Sequence, residues 1–272
     1  MAQQLVNEVV QLVVAPVLVA AATVAARRWG HRVAGLVSAF PAIVGPVLLI
    51  GAERHGSLFA AQAATGTLVG LAALSGFALA CGRTALHASW PVSLAAGWAI
   101  AAATAALAAS VDASLLGALA IAVVSSALAY RALPRGVLEL SALDAPRGDL
   151  PLRMGLTALL VASLAAAGGW LGPTASGVLA ALPVLACVLA GFTHARHGGA
   201  ASTQLLRGML GGMAGFVTFC ALVAGLVEHA GVAATFLAAT AAALAVQGAV
   251  AWTVTRSARV PAQRGVPFEV HS

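Results

Sequence analysis

The chain has 272 residues, of which 61% are hydrophobic and 8% are charged, and its mean hydropathy is +0.98. A water-facing domain carries about 25% charged residues, so these proportions exclude a soluble fold and imply an all-α, polytopic membrane protein. The net charge of +6 then reflects orientation in the bilayer and not a nucleic-acid partner.

A membrane helix needs about 20 apolar residues, and nine stretches meet that length. The first covers 5–26. Its leading residues, Met1–Gln4, carry no positive charge and Glu8 follows, so it reads as a retained span and not a cleaved signal peptide. The next four cover 33–52, 57–81, 88–110 and 112–133. Segment 134–153, PRGVLELSALDAPRGDLPLR, is polar and proline-rich and predicts an exposed linker. Four more spans follow at 154–171, 175–193, 199–226 and 232–254, ahead of a charged tail.

Alternating these spans across the bilayer sorts the arginines. One side takes Arg27, Arg28, Arg32, Arg83, Arg131, Arg135, Arg147, Arg153, Arg196, Arg256, Arg259 and Arg264, and the other takes only Arg54. The positive-inside rule makes the first side cytoplasmic. The N-terminus is therefore expected outside and the C-terminus inside. All 14 basic residues are Arg and none is Lys, which with the abundant Ala and Gly suggests a GC-rich bacterial source. Cys81, Cys187 and Cys220 fall in apolar stretches and read as small buried hydrophobes.

An offset of 142 residues superposes the chain on itself. Gly35 meets Gly177, Pro41 meets Pro183, and Arg54-His55-Gly56 meets Arg196-His197-Gly198. Gln62 meets Gln204, Gly66 meets Gly208, Gly70 meets Gly212, and Phe77 meets Phe219. His and Gln are scarce in this chain, so their shared register implies a duplication. The copies begin five spans apart, an odd number, so the second enters from the opposite side. The expected organisation is a four-helix repeat at 1–110, a connector helix and linker at 111–153, an inverted four-helix repeat at 154–255, and a cytoplasmic tail at 256–272. Inverted repeats are a recurring architecture of secondary transporters, whose two halves exchange inward- and outward-open states.

Candidate functional residues follow from the repeat. Pro41 and Pro183 lie mid-span, where each removes a backbone hydrogen bond. They predict either crossing broken helices that frame a substrate site or ordinary proline kinks. Gln62 and Gln204 share helix faces with Gly66/Gly70 and Gly208/Gly212. The glycines fit close helix packing; the glutamines suit either the freed carbonyls or a ligand. Arg207 stands inside the eighth span, where a charge is costly and marks a functional candidate. It would bind an anionic group such as phosphate or carboxylate, or snorkel to the interface. Arg54, His55, Arg196 and His197 close the turns after spans two and seven, as entry-gate cations or as caps for the last helical carbonyls. His194 and His197 have a metal-like spacing but no third ligand nearby, so neither a metal nor a cofactor is expected. All eight acids sit in loops, tails or span ends, which disfavours coupling through a buried carboxylate. ATPase and hydrolase motifs are absent from the sequence, so no enzyme activity is expected.

The first copy resembles the GlpM family of small bacterial inner-membrane proteins through AGLVSAFPAIV and GAERHG, that is Gly35-Leu36, Phe40-Pro41 and Gly51 through Glu53-Arg54 to Gly56. The resemblance covers roughly residues 10–110 and more weakly 155–250, where Leu182, Thr193 and Ala195 replace Phe40, Gly51 and Glu53. It implies an integral protein of the inner membrane and suggests a connection to envelope polysaccharide production. The combined expectation is a facilitator or exchanger in the lipid bilayer for a small or lipid-linked anion. Its site is expected between spans two, three, seven and eight, and a homodimer is compatible with this architecture. The alternative is a non-transporting scaffold or assembly factor for envelope synthesis; a membrane-embedded enzyme is the weaker third.

Overall fold

The computed structural model describes residues 28–41, 44–134 and 181–258, with isolated positions among residues 17–25 and at Gly155. Most of the expected first span, the linker beyond 134, nearly all of the sixth span, the start of the seventh and the end of the tail lie outside the described residues, as do Gly172 and Gly177.

Every described element is an α-helix: α1 (His31–Ser38), α2 (Val44–His55), α3 (Ser57–Thr84), α4 (Trp90–Ala109), α5 (Leu115–Ala132), α6 (Val184–Ala230) and α7 (Val232–Ala258). Five of them, α3 to α7, are long and apolar enough to cross a membrane, which makes this a helical membrane protein. The expected nine spans are not all shown. The stretch expected as one helix at 33–52 is two shorter ones, α1 of 8 residues and α2 of 12, and neither alone reaches the length a bilayer requires.

The break between α1 and α2 has a local cause. Proline cannot donate a backbone hydrogen bond and disfavours helix in the residue before it. Helix α1 therefore stops at Ser38, ahead of Pro41, and the chain re-enters helix when the amide of Gly45 bonds to the Pro41 carbonyl at 2.8 Å. The helix start is matched 142 residues later, at Pro183. The chain is non-helical at Ala181–Pro183, and the amide of Cys187 bonds to the Pro183 carbonyl at 2.7 Å. Both prolines are buried.

A matched pair of glycines ends the helical segments that follow the two prolines. Gly56 has φ 91°, ψ 171°, and Gly198 has φ 82°, ψ 171°. This region is essentially closed to residues with a Cβ. Gly198 lies inside α6 and folds it into two arms. Ser202 Oγ donates to the Ala190 carbonyl at 3.1 Å across 12 residues, which a straight helix would hold about 18 Å apart. The first arm, up to His197, and the second, from Gly199, are thus separate helices joined by a sharp turn.

The second arm of α6 and α3 form the centre. They supply most of the large buried side chains, including Leu68, Leu71, Phe77, Leu205, Leu206 and Met213. The outer helices α4, α5 and α7 keep long apolar faces exposed, through Ile100, Leu107, Leu116, Leu128, Leu237 and Leu244, as lipid contact requires. Helix α1 follows the second arm of α6 in the same direction, and α2 packs on α3 and touches that arm at its own start. Arg32 lies at Gly208, Ala39 at Gly212, and Gly45 at Phe219. The contact is made by small residues: a Cβ on Gly35 would collide with the Leu205 carbonyl, and one on Gly208 with the Arg32 carbonyl. Helix α7 runs back along the other side, where Phe236 stacks edge-on to Phe219 at 6.0 Å and Gln247 reaches Gly212 and Gly215.

This threading gathers alternate loops at each end. Thr203 Oγ1 donates to the Gly82 carbonyl at 2.8 Å, Arg83 reaches the Ala132 carbonyl at 3.2 Å, and the His31 and His197 rings lie 5.2 Å apart. The ends of α3, α5 and the first arm of α6 therefore meet the start of α1. Of the described arginines outside the second arm of α6, Arg28, Arg32, Arg83, Arg131 and Arg196 belong to this end, as does the position of Arg256 near the end of α7, and Arg54 closes α2 at the other.

Candidate functional site

The site is built on Arg207, on the second arm of α6 and about 12 Å along the helix from the Gly199 end. Its residue is 5% exposed. A charge buried to this degree needs hydrogen-bonded partners, and α5 supplies them. Helix α5 ends at Ala132, so its final carbonyls have no amide to receive. Arg207 Nη1 donates to the Tyr130 carbonyl at 2.8 Å and also to the Leu133 carbonyl. The guanidinium carbon sits 4.2 Å from the Tyr130 ring centroid, a cation–π contact. Two carbonyls, the negative end of the α5 dipole and an aromatic face thus hold one cation. Arg207 therefore reaches protein carbonyls at the end of α5 while also lining the cavity described below.

Tyr130, the only tyrosine in the chain, links this cation to a second. Its hydroxyl accepts from Arg32 Nη2 at 3.0 Å. Arg32 belongs to the first turn of α1, which Gly35, Gly208 and Gly212 allow to lie directly on α6. Two arginines from elements far apart in sequence therefore flank one tyrosine. They line a cavity of about 570 Å³ between α1, α5, the second arm of α6 and α7, within the usual range for a small-molecule site. Its remaining walls include Leu36, Val123, Leu210, Met213, Val217 and Val250.

The residues expected to share a site do not all meet. Arg207 lines the cavity; Pro41, Pro183, Gln62 and Gln204 do not. Gln62 is exposed on α3, whereas its counterpart Gln204 is buried on α6. The two prolines define helix ends, and their buried rings lie away from the cavity wall. Gly208 lines the cavity as well as seating α1, and Gly212 packs against Leu36 of α1 and Ala39 just beyond its end. Gly66 and Gly70 are buried in α3. Arg54 and His55 are exposed in the last turn of α2, with the His55 ring 4.7 Å from Phe59. Arg196 is exposed and His197 half-buried against His31, at the opposite end of the molecule from Arg54.

Three residues outside the expected set matter here. Arg32 counts in the sequence only toward the charge bias, because nothing local distinguishes it from Arg27 or Arg28. Tyr130 stands at the end of an apolar span, where its scarcity was the available signal. Gln247 has Ala105 as its counterpart and so escapes a search by repeat. Its Nε2 donates to the Leu36 carbonyl in the last turn of α1, while its Oε1 is buried with no partner. It ties α7 to the broken helix. No family model matches the chain, and neither a curated protein nor a solved structure does.

Proposed function

We propose that this chain is a secondary-type transporter, a facilitator or exchanger, that moves an anionic substrate by alternating access between two inverted repeats. The observation that carries this reading is the paired cations: Arg207 and Arg32 flank Tyr130 and line one cavity beside a broken helix. A buried arginine inside an apolar span is expensive, and an anion that it binds would offset that cost. The matched helix starts after Pro41 and Pro183 and the matched turns at Gly56 and Gly198 support a duplicated architecture of nine spans. The gathering of Arg28, Arg32, Arg83, Arg131 and Arg196 at one end supports a cytoplasmic assignment for that end, with the N-terminus outside. The GlpM-like stretch at Gly35–Gly56 favours the bacterial inner membrane.

The test is flux in proteoliposomes across a panel of phosphates and carboxylates, comparing wild type with Arg32→Gln and Arg207→Ala. Loss of flux in both variants, with the protein still folded, is the expected result. Flux that neither variant changes would remove the site from the mechanism. One observation favours a second reading, a scaffold for envelope synthesis: two Arg207 hydrogen bonds are already spent on the end of α5. Under that reading Arg207→Ala lowers stability while no panel anion moves.

A further inference from the structure

Assuming that Arg32 and Arg207 hold an anion, we infer that the anion is the headgroup of a membrane lipid, whose acyl chain lies in the groove between α5 and α7. The groove has one charged end. On α6 its lining runs from Arg207 to Thr218, which spans about 16 Å of helix. That is roughly half of a hydrocarbon core about 30 Å thick, so the groove is one leaflet deep. Its cationic end lies where the arginine-bearing loops gather, at the level of headgroups.

Beyond the arginines the groove offers little to a hydrophilic solute. Thr218 Oγ1 donates to the Ala214 carbonyl at 2.8 Å, Thr253 Oγ1 to the Val250 carbonyl at 2.8 Å, and Ser126 pairs with Ser75 at 3.2 Å. The hydroxyls along the walls are thus already engaged, and what they leave is hydrocarbon. A small soluble anion would occupy the charged end and leave the apolar length unfilled. A lipid satisfies both parts.

The groove also opens toward the bilayer among the described residues. Helices α5 and α7 each pack on the second arm of α6 but form no helix–helix interface with each other. Ala214 is exposed on the floor between them, and Val123 on the α5 wall is 51% exposed. Entry sideways from one leaflet needs this geometry, while a water-soluble substrate needs an aqueous mouth.

The test places a photo-crosslinker at the floor, Ala214→p-benzoylphenylalanine, in proteoliposomes of phosphatidylcholine with a minor share of phosphatidylglycerol. Mass spectrometry should find phosphatidylglycerol adducts enriched about tenfold over their share of the bilayer, equivalent to about 1.4 kcal/mol. The enrichment should vanish with Arg32→Gln, which leaves the Arg207 cap on α5 in place. Adducts in proportion to bilayer composition, or a crosslink to another segment of this chain, would overturn the inference. Soluble-anion flux sensitive to Arg207→Ala without lipid enrichment would also overturn it and leave the transporter reading standing. Arg32-dependent enrichment without flux of any lipid or soluble anion would support the lipid site and remove transport.

Discussion

Arg207 and Tyr130 are held together twice, once through the guanidinium lying 4.2 Å from the ring centroid and once through a 2.8 Å hydrogen bond to the tyrosine's own carbonyl. The same guanidinium reaches Leu133. One side chain of α6 thereby closes the C-terminal end of α5 and presents a cation to the cavity. The structural role and the proposed anion-binding role fall on one residue, and separating them requires different substitutions.

Arg207→Ala should destabilise the protein, because one buried and one part-buried carbonyl lose their donor, at about 1–3 kcal/mol for the buried one. Arg207→Lys should recover only part of this, since an ammonium lacks the planar fork that reaches two carbonyls while stacking on a ring. Thermal unfolding in detergent measures both. A wild-type melting temperature for Arg207→Ala would show that the cap on α5 is not structural.

Tyr130→Phe separates the two arginines. It keeps the ring under Arg207 and removes the hydroxyl that fixes Arg32. The expected stability change is about 0.5–1.5 kcal/mol, the worth of one ordinary hydrogen bond. Phosphatidylglycerol capture at Ala214 should fall as well, because Arg32 loses its preset position. Capture at the wild-type level would count against Tyr130 as a positioning residue.

The matched turns predict matched costs. Gly56→Ala and Gly198→Ala should each destabilise by about 1–3 kcal/mol, since both force a Cβ into the same disallowed backbone region. Gly225→Ala is the control: a Cβ there meets nothing closer than Leu115 Cδ2 at 3.6 Å, and a change within about 0.5 kcal/mol is expected. Denaturant titration in mixed micelles compares the three. Unequal costs at Gly56 and Gly198 would argue that the two turns carry different structural weight.

Gln247 gives a third contrast. Gln247→Leu removes the donor to Leu36 together with the unpaired buried oxygen, so the two effects offset each other and the loss should stay below about 1.5 kcal/mol. Gln247→Glu sets a carboxyl against a carbonyl in a buried site and should cost about 3 kcal/mol or more. Melting temperatures order the variants, and a Glu variant as stable as the Leu variant would contradict the assigned amide orientation.

Hydropathy alone was enough for the membrane class, because a chain with 8% charge cannot solvate its own surface. The break at Pro41, the helix start after Pro183 and the turns at Gly56 and Gly198 were legible in the sequence, because proline and glycine act on the backbone where they stand. The site was less legible. Arg207 was visible as a charge in an apolar span, but its partners come from α5 and α1, 77 and 98 residues being the separations of Arg207 from Tyr130 and of Arg32 from Tyr130. Gln62 and Gln204 look equivalent in sequence, yet one is exposed and the other buried, because α3 and the second arm of α6 face different neighbours. Local chemistry dictates where a helix breaks. Which cation meets which carbonyl depends on how helices distant in the chain are brought side by side, and only packing decides that.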